Sequence, residues 1–277
     1  MTGPDFDHFC QLVRERSGLV LGPDKAYLVK ARLDAVVRAH GFPDLALLLS
    51  TLRRAPTEPL IEACVNALAT HESSFFRDGS PFVALAASVL PELIAARQAA
   101  RTLRIWCAAC SSGQEAYSVA IVLKEMAGRL AGWNIEILGT DFSRPILQKA
   151  ATALYSDFEV RRGLSPERLE RWFDKSPEGW RPKPPIRQMV TFRPHNLMQR
   201  LPAASAFDII FCRNVLIYFD VDQKLKVLDL LARSMAQDGA LFLGSAESIL
   251  GLPASLAASP SCRGLFHRAA EPSARSA

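Results

Sequence analysis

A strand, a turn of small residues and a helix follow one another between Arg104 and Ser118, and this segment constrains the fold most strongly. The apolar run Leu103–Trp106 predicts a buried strand, and every residue from Cys107 to Gly113 is small. An apolar helical pattern begins at Tyr117. This arrangement lets a backbone approach a nucleotide-like ligand at the N-terminus of a helix. The segment therefore predicts a βα unit with a ligand at its turn, or an ordinary buried strand–turn–helix without one.

The turn and the strand that follows it restrict the class of ligand. Gly113 is the one glycine where a dinucleotide fingerprint has three, so the turn does not match an NAD site. A ligand with a ribose but no phosphate needs fewer backbone N–H groups, and Ala, Cys and Ser are small enough for it. The predicted strand 135–139 ends beside Asp141, whose carboxylate can accept from both hydroxyls of a ribose. S-adenosylmethionine is a ligand of this kind.

Length and composition indicate a globular protein. The chain has 277 residues, of which 49% are apolar and 22% charged, which suits one large or two modest domains. It has no apolar run of membrane-spanning length and its first residues are unlike a signal peptide, so we expect a cytoplasmic protein without direct membrane insertion. Cys107 and Cys110 form a lone CxxC pair with no second pair, so we expect no metal site.

Charge is concentrated in one part of the chain. The net charge is +5, and residues 157–200 contain ten Lys and Arg against six Asp and Glu. Such a surplus suits an acidic partner, either a protein surface or a nucleic acid, or is a solvated surface. Of these alternatives, we expect no nucleic acid partner.

Two parts of the chain have different periodicities. The first 70 residues read as helices only, at Phe6–Val13 before Gly18, from Asp24 to Gly41, at Leu45–Leu52 and at Leu60–Leu68. From about residue 80, helices alternate with buried strands, which indicates an α/β domain with a parallel sheet. We predict strands at 103–107, 135–139, 207–212 and 240–244, an antiparallel strand at 264–268, and a proline-rich β insertion at 174–194 on the sheet edge.

Three further segments carry polar residues in positions that suit a ligand. The segment Thr70–Arg77, THESSFFR, joins the helical part to the α/β part. Asn196 and Leu197 follow the β insertion. The segment FDIIFCRNVLIYFD places Arg213 and Asn214 at the carboxyl end of a strand, where open α/β sheets bind ligands.

Taken in order, these segments resemble the chemotaxis-receptor glutamate methyltransferase family, called CheR. The family pattern has an opening similar to Ser17-Gly18-Leu19, a helix with Arg32-Leu33, and a Thr-Asn-Glu-Thr-x-Phe-Phe-Arg linker. It continues with a Cys-Ser-Thr-Gly-Glu-Glu-Pro-Tyr-Ser-type turn, a Thr-Asp strand end and a Phe-Cys-Arg-Asn-Val-x-Ile-Tyr-Phe segment. The resemblance covers residues 5 to about 268.

The resemblance implies an α/β fold with a Rossmann-like S-adenosylmethionine-dependent methyltransferase domain. This domain would span residues 81–268, with a small antiparallel β insertion at about 174–194. An all-helical domain, 1–70, would precede it, and a linker, 71–80, would contribute to the cofactor site. Residues 269–277 would be a disordered tail. The implied activity is methylation of glutamate side chains in the cytoplasmic helix bundle of chemoreceptors, by a monomer.

The resemblance also implies roles for individual residues. Tyr218 would lie beside the methyl group that is transferred. An arginine after the linker helix belongs to the family's active site; Arg97 is our choice and Arg101 the alternative. The residues that would bind the cofactor are His71, Ser73, Arg77, Glu115, Asp141, Asn196, Leu197, Arg213 and Asn214.

The sequence departs from the family pattern at several positions. His71 replaces Asn, Ser73 replaces Thr, Gln114 replaces Glu and Ala116 replaces Pro. The insertion is short and lacks a Gly-x-Gly loop, which resembles the branch that does not dock on a receptor's carboxyl-terminal pentapeptide. Two other functions stay open: a regulator that binds S-adenosylmethionine without turnover, and a nucleic-acid methyltransferase.

Overall fold

The computed structural model describes residues 3–22, 25–201, 206–245, 247 and 255–269. The chain divides into two compact units, the first with residues 1–71 and 218–223, the second with residues 72–217 and 224–277. Asp24, predicted to begin a helix, and most of the predicted tail lie outside the described residues. Within the described ranges, no helix combines the length and the hydropathy needed to cross a bilayer.

The first unit contains the four predicted helices, and each buries the apolar face that its sequence pattern indicates. Gly18 ends the first helix with a left-handed φ of 77°, and a Cβ there would lie 2.5 Å from the Phe219 ring. Arg32 donates to the carbonyls of Leu68 and Ala69, both at 2.9 Å, at the end of the fourth helix. The helices are α1 (Pro4–Ser17), α2 (Ala26–Ala39), α3 (Leu45–Arg54) and α4 (Glu58–Leu68).

The second unit begins with a helix that contains one π-helical turn, Leu85–Val89, between α5 and α6. Proline at position 91 has no N–H to donate to the preceding turn, which favours such an irregularity. The helices are α5 (Ser80–Ala84), α6 (Leu90–Ala96), α7 (Gln114–Glu125), α8 (Arg144–Thr152), α9 (Asp157–Arg161), α10 (Pro166–Trp172), α11 (Pro184–Arg187) and α12 (Val221–Ser234), whose first three residues belong to the first unit.

A seven-stranded sheet has the order β5-β2-β1-β6-β7-β9-β8. The first five strands are parallel, and β9 is antiparallel to both β7 and β8. The strand order reverses at β1, which has β2 on one side and β6 on the other, so ligands are expected beyond the carboxyl ends of these strands. The strands are β1 (Thr102–Ala108), β2 (Asn134–Asp141), β3 (Phe173–Ser176), β4 (Gly179–Pro182), β5 (Val190–Pro194), β6 (Phe207–Cys212), β7 (Met235–Leu243), β8 (Leu256–Ala258) and β9 (Leu265–Arg268).

The predicted sheet is confirmed, with three differences at its margins. The β insertion is a two-stranded antiparallel sheet of β3 and β4, which is shorter than the predicted 174–194. The β-rich end of that segment is β5, which pairs in parallel with β2 and is an edge strand of the main sheet. The sequence pattern there shows a strand but not its partner. The short strand β8 was not predicted.

Aromatic residues fill the core of the second unit between the sheet and its helices. The Phe211 and Phe242 rings stack at 4.5 Å between centroids, and Phe75 makes edge contacts with Tyr155 and Phe173. All three of Phe75, Phe211 and Phe242 are buried. Phe75 therefore anchors the segment 72–78 to this unit, which brings its polar residues to the sheet.

Candidate cofactor-binding site

The turn after β1 has a strained backbone. Ala109 and Ser111 have left-handed φ angles of 55° and 51°, and Gly113 has a φ of 90° where α7 begins. The Cys110 N–H donates to the Thr140 carbonyl at 2.8 Å, which ties the turn to the end of β2. Left-handed φ angles cost energy in residues other than glycine and are concentrated at ligand sites. The predicted turn thus has a backbone conformation typical of ligand sites, directly before the N-terminus of α7.

One buried tyrosine bonds this turn, and a second joins α7 to α8. Tyr155 Oη donates to the Ser112 carbonyl at 2.7 Å, and Tyr117 Oη donates to the Ala150 carbonyl at 2.9 Å. Burial raises the pKa of both hydroxyls, so they stay protonated as donors at neutral pH. The turn therefore has a hydrogen-bonded support of its own.

We expect Tyr155→Phe to lower the free energy of unfolding by about 1–3 kcal/mol, because it leaves the Ser112 carbonyl without this donor. Urea unfolding of the variant and the parent protein measures the difference. Thr152→Val is the matched control, since the Thr152 hydroxyl is exposed where it bonds the Gln148 carbonyl. Equal losses in the two variants would contradict a specific supporting role for Tyr155.

Asp141 ends β2 directly opposite the turn. Its side chain is buried; Oδ2 accepts from the Ser111 N–H at 2.9 Å and Oδ1 accepts from the Ser143 N–H at 3.0 Å. A carboxylate oxygen can accept more than one hydrogen bond, so both oxygens can also receive ribose hydroxyls. Ser111 Oγ is buried without a hydrogen-bond partner among the described residues. The turn and Asp141 form one polar cradle of the kind that a nucleoside needs.

Glycine at position 139 makes room beside this cradle. A Cβ on Gly139 would lie 2.6 Å from the Phe192 ring of β5 and 3.2 Å from Cys110 Sγ. The N–H of His195, just after β5, donates to the Asp141 carbonyl at 2.9 Å. The segment after β5 is therefore held next to the cradle.

Asn196 and Leu197, both predicted to border the cofactor, lie in that segment. Asn196 Oδ1 accepts from the Met198 N–H at 2.9 Å, which fixes a tight turn. Leu197 is buried. The structure thus brings both residues to the same edge of the sheet as Asp141.

Arg213 connects three parts of the site. Its side chain is only 2% exposed, and Nη1 donates to Glu115 Oε2 at 3.0 Å. Nη2 donates to the Arg77 carbonyl at 2.9 Å and to Asp78 Oδ2 at 2.7 Å. Arg213 Nε has no partner among the described residues. The end of β6, the start of α7 and the segment 72–78 are therefore linked by one guanidinium group.

Glu115 lies in the first turn of α7, as predicted. Burial raises the pKa of its carboxyl, and the Arg213 guanidinium opposes this increase through charge and a hydrogen bond. The charge of Glu247 raises the same pKa further, and that of Arg77 lowers it. Glu115 is thus one of several charged groups that act on each other at this edge.

The segment 72–78 packs on the beginning of α7. The Phe76 N–H donates to Ser118 Oγ at 2.9 Å, and that hydroxyl donates to the Gln114 carbonyl at 2.7 Å. Phe76 and Asp78 have left-handed φ angles of 46° and 66°. This bent backbone places the predicted residues Ser73 and Arg77 in the unit that carries the cradle.

Arg97, predicted to be at the active site, lies at the opposite edge of the sheet. Its Nε donates to Asp208 Oδ1 at 3.0 Å, and both terminal nitrogens bond the Asp238 carboxylate at 2.7 and 2.6 Å. Asp208 is at the amino end of β6, whereas Arg213 follows its carboxyl end. Arg101, the alternative, precedes β1 and is also at the amino edge. The prediction of Arg97 is wrong because Arg97 lies at the amino edge, whereas Arg213 and the Arg77 carbonyl that it bonds lie at the carboxyl edge.

Two of the predicted site residues do not belong to the unit that contains the cradle. His71 and Tyr218 are part of the first unit, whereas the cradle belongs to the second. The Tyr218 carbonyl accepts from the Val20 N–H at 3.4 Å, within the first unit. The roles of His71 and Tyr218 stay predictions from the resemblance.

Sequence reasoning missed Glu247 and Asp78. Glu247 accepts hydrogen bonds from the Asn214, Val215 and Leu216 N–H groups and from that of Gly244. For Glu247, the one signal was an acid shortly after the carboxyl end of a parallel strand, β7. Asp78 follows directly on the linker motif that drew attention to Arg77.

The charge balance of this edge indicates which ligand it suits. Acidic and basic side chains both lie at this edge, so it suits a ligand that carries both signs of charge. A nucleoside with a sulfonium and an ammonium group, one carboxylate and no phosphate is such a ligand and fits the cradle. The acidic residues include Asp78, Glu115, Asp141 and Glu247, and the basic ones include Arg77, Arg144, Arg193 and Arg213.

Two protein-family models match consecutive parts of the chain. The family model for the CheR methyltransferase SAM binding domain matches residues 71–264, and that for the CheR methyltransferase all-alpha domain matches residues 4–69.

Three curated relatives are similar over most of the chain. Chemotaxis protein methyltransferase Cher2 of Pseudomonas putida is 40% identical over 90% of this chain and 92% of its own length. Chemotaxis protein methyltransferase 1 of Vibrio cholerae is 39% identical over 91% of this chain and 92% of its own. Chemotaxis protein methyltransferase 1 of Pseudomonas aeruginosa is 41% identical over 90% and 92%. With two family models on consecutive parts of the sequence and a cradle that suits S-adenosylmethionine, the chain belongs to the CheR methyltransferase family.

Proposed function

We propose that this protein methylates glutamate side chains in the cytoplasmic helix bundle of chemoreceptors, with S-adenosylmethionine as the methyl donor. The products are glutamate methyl esters and S-adenosylhomocysteine, and the reaction serves sensory adaptation in the cytoplasm. The relatives' names support a role in chemotaxis. The observation that carries the proposal is the cradle of the 109–113 turn and Asp141, joined by Arg213 to Glu115.

We assign the cofactor's parts to different residues of the cradle. Asp141 receives the ribose hydroxyls, and the segment with Asn196 and Leu197 borders the adenine. Glu115, beside Arg213, faces the methionine end. When bound, the cofactor supplies a methyl group made electrophilic by the positively charged sulfur. His71 and Ser73 add polar contacts from the linker, and Asn214 closes the pocket.

The substrate needs no general base. A glutamate carboxyl has an ordinary pKa of about 4.3, so it is already a carboxylate nucleophile at neutral pH. The protein's task is therefore to align the carboxylate with the methyl group and to exclude water, and alignment of this kind can lower a barrier by roughly 7–11 kcal/mol. Tyr218 has the role of orienting the two reactants.

Arg77, which the resemblance places among the cofactor-binding residues, is the arginine that we assign to the incoming carboxylate in place of Arg97. Its Nη1 donates to the Glu72 carbonyl at 3.1 Å, which holds the half-buried side chain near the cradle. A guanidinium can bind one carboxylate oxygen while the other stays available to react. The basic surplus of residues 157–200 suits an acidic receptor surface.

A labelling experiment tests this function. The full chain is incubated with S-adenosylmethionine labelled on the methyl group and with purified cytoplasmic fragments of chemoreceptors. We expect label in the fragments that mild base releases as methanol, because a glutamate methyl ester is base-labile. Fragments with their surface glutamates replaced by glutamine are the control and should stay unlabelled.

Other outcomes would overturn the proposal in distinguishable ways. Label in added RNA or DNA, with binding that falls steeply with salt, would indicate a nucleic-acid methyltransferase. Cofactor binding without label in any substrate would indicate a regulator without turnover. Base-stable label in the receptor fragments would place the methyl group on a side chain other than glutamate.

A further inference from the structure

Glu247 makes an unusual set of hydrogen bonds at the carboxyl edge of the sheet. Its Oε1 accepts from the N–H groups of Val215 at 2.9 Å and Leu216 at 2.8 Å. Its Oε2 accepts from the N–H groups of Asn214 at 3.1 Å and Gly244 at 2.6 Å. One carboxylate thus binds the loop after β6 and the loop after β7 together.

The backbone of the first loop is shaped for an anion. Asn214 has a left-handed φ of 59°, so the N–H groups of three successive residues converge on one side. Such a concave set of N–H groups is a known anion-binding arrangement. Here the anion is supplied by the chain itself, and without it these N–H groups would lose their acceptor.

The loop after β7 is fitted closely to Asn214. A Cβ on Gly244 would lie 2.8 Å from Glu247 Oε2 and 2.9 Å from Asn214 Nδ2. Only glycine leaves room for this approach. The two loops are therefore packed against each other with the Glu247 carboxylate between their N–H groups.

The loop that Glu247 holds carries two of the assigned pocket residues. Arg213 immediately precedes the three bound N–H groups, and Asn214 provides the first of them. A change in this loop would move the guanidinium that joins Glu115 to the segment 72–78. The pocket's geometry therefore depends on the loop's conformation.

We propose that Glu247 is a positioning residue, whose carboxylate fixes the Asn214–Leu216 loop so that Arg213 and Asn214 are held in place for the cofactor. The inference rests on the proposed assignment of these two residues to the pocket. The negative charge is essential to it, because all four partners are N–H donors. Glutamine at this position would turn an NH₂ group toward two of those donors.

Calorimetric binding of S-adenosylhomocysteine to the full chain tests this role. We expect Glu247→Gln to weaken binding at least about tenfold, since hydrogen bonds to a charged group are among the strongest. Glu247→Asp keeps the charge and should recover part of the affinity. Glu125→Gln is the matched control, because it removes a carboxylate that bonds the Arg168 side chain at the surface, and it should bind as the parent does.

A double-mutant cycle separates positioning from general stability. If Glu247 acts through its loop, Asn214→Ala combined with Glu247→Gln should bind about as weakly as the weaker single variant. Additive losses would show independent effects and overturn the inference, as would equal affinity of Glu247→Gln and the parent. If Glu247→Gln does not fold, Glu247→Asp, whose shorter side chain cannot reach all four N–H groups, replaces it in the cycle with Asn214→Ala. Additive losses in that cycle would overturn the inference. A parent protein that does not bind S-adenosylhomocysteine would instead overturn the proposed function.

Discussion

Asp141→Ala is expected to weaken S-adenosylhomocysteine binding about 100-fold or more, while the variant still folds. The parent carboxylate is placed to accept from the two ribose hydroxyls, and each hydrogen bond to a charged group contributes about 1.5–3 kcal/mol. The loss of both corresponds to at least about 100-fold in the dissociation constant. Calorimetric titration of the variant and the parent measures it.

The same carboxylate also anchors the turn, so two further variants are needed. Asp141→Asn keeps a side-chain oxygen that can accept from the Ser111 or the Ser143 N–H but loses the charge. Asp157→Ala removes a carboxylate from the exposed start of α9 and is the matched control. We expect weak binding for Asp141→Asn and unchanged binding for Asp157→Ala. Affinity close to the parent's in Asp141→Ala would remove the ribose assignment.

Arg213→Met is expected to lower the free energy of unfolding by about 3–5 kcal/mol, because it leaves the largely buried Glu115 carboxylate without its partner. The cause is the uncompensated charge, not lost packing, since methionine retains much of the apolar stem. Urea unfolding measures the loss. Cofactor affinity should fall as well, because the same guanidinium holds the segment with Arg77 and Asp78.

A second substitution tests this cause. Glu115→Gln in the Arg213→Met background removes the unpaired charge and should restore part of the stability. Arg233→Met, which breaks the exposed pair with Asp229, is the matched control and should cost about 0–1 kcal/mol. A double variant less stable than Arg213→Met would show that the buried charge is not the source of the loss.

The sheet and most of the carboxyl-edge residues could be predicted from the sequence because strand ends determine where side chains meet. Asp141 and Arg213 each follow a buried apolar strand, and parallel strands place such residues at one edge. The role of Arg213 was only partly predicted. Its ion pair with Glu115 and its bond to the Arg77 carbonyl depend on how three segments pack, and no local pattern encodes that.

The error on Arg97 has a physical cause. Residue spacing along a helix fixes neither its length nor its direction relative to the sheet, and α6 ends at the amino edge instead of the carboxyl edge. The side chain is then satisfied by Asp208 and Asp238, two acids that lie far from it in sequence. Glu247 was missed for a similar reason, because its partners are backbone N–H groups and leave no trace in the identity of the side chains.

A crystal structure of the full chain with S-adenosylhomocysteine tests the central assignment most directly. The account predicts ligand density at the carboxyl ends of β1, β2 and β6, with both ribose hydroxyls within about 3 Å of the Asp141 carboxylate. Ligand density at another place would contradict this assignment. So would a ribose turned away from Asp141, or an adenine that does not lie beside Asn196 and Leu197.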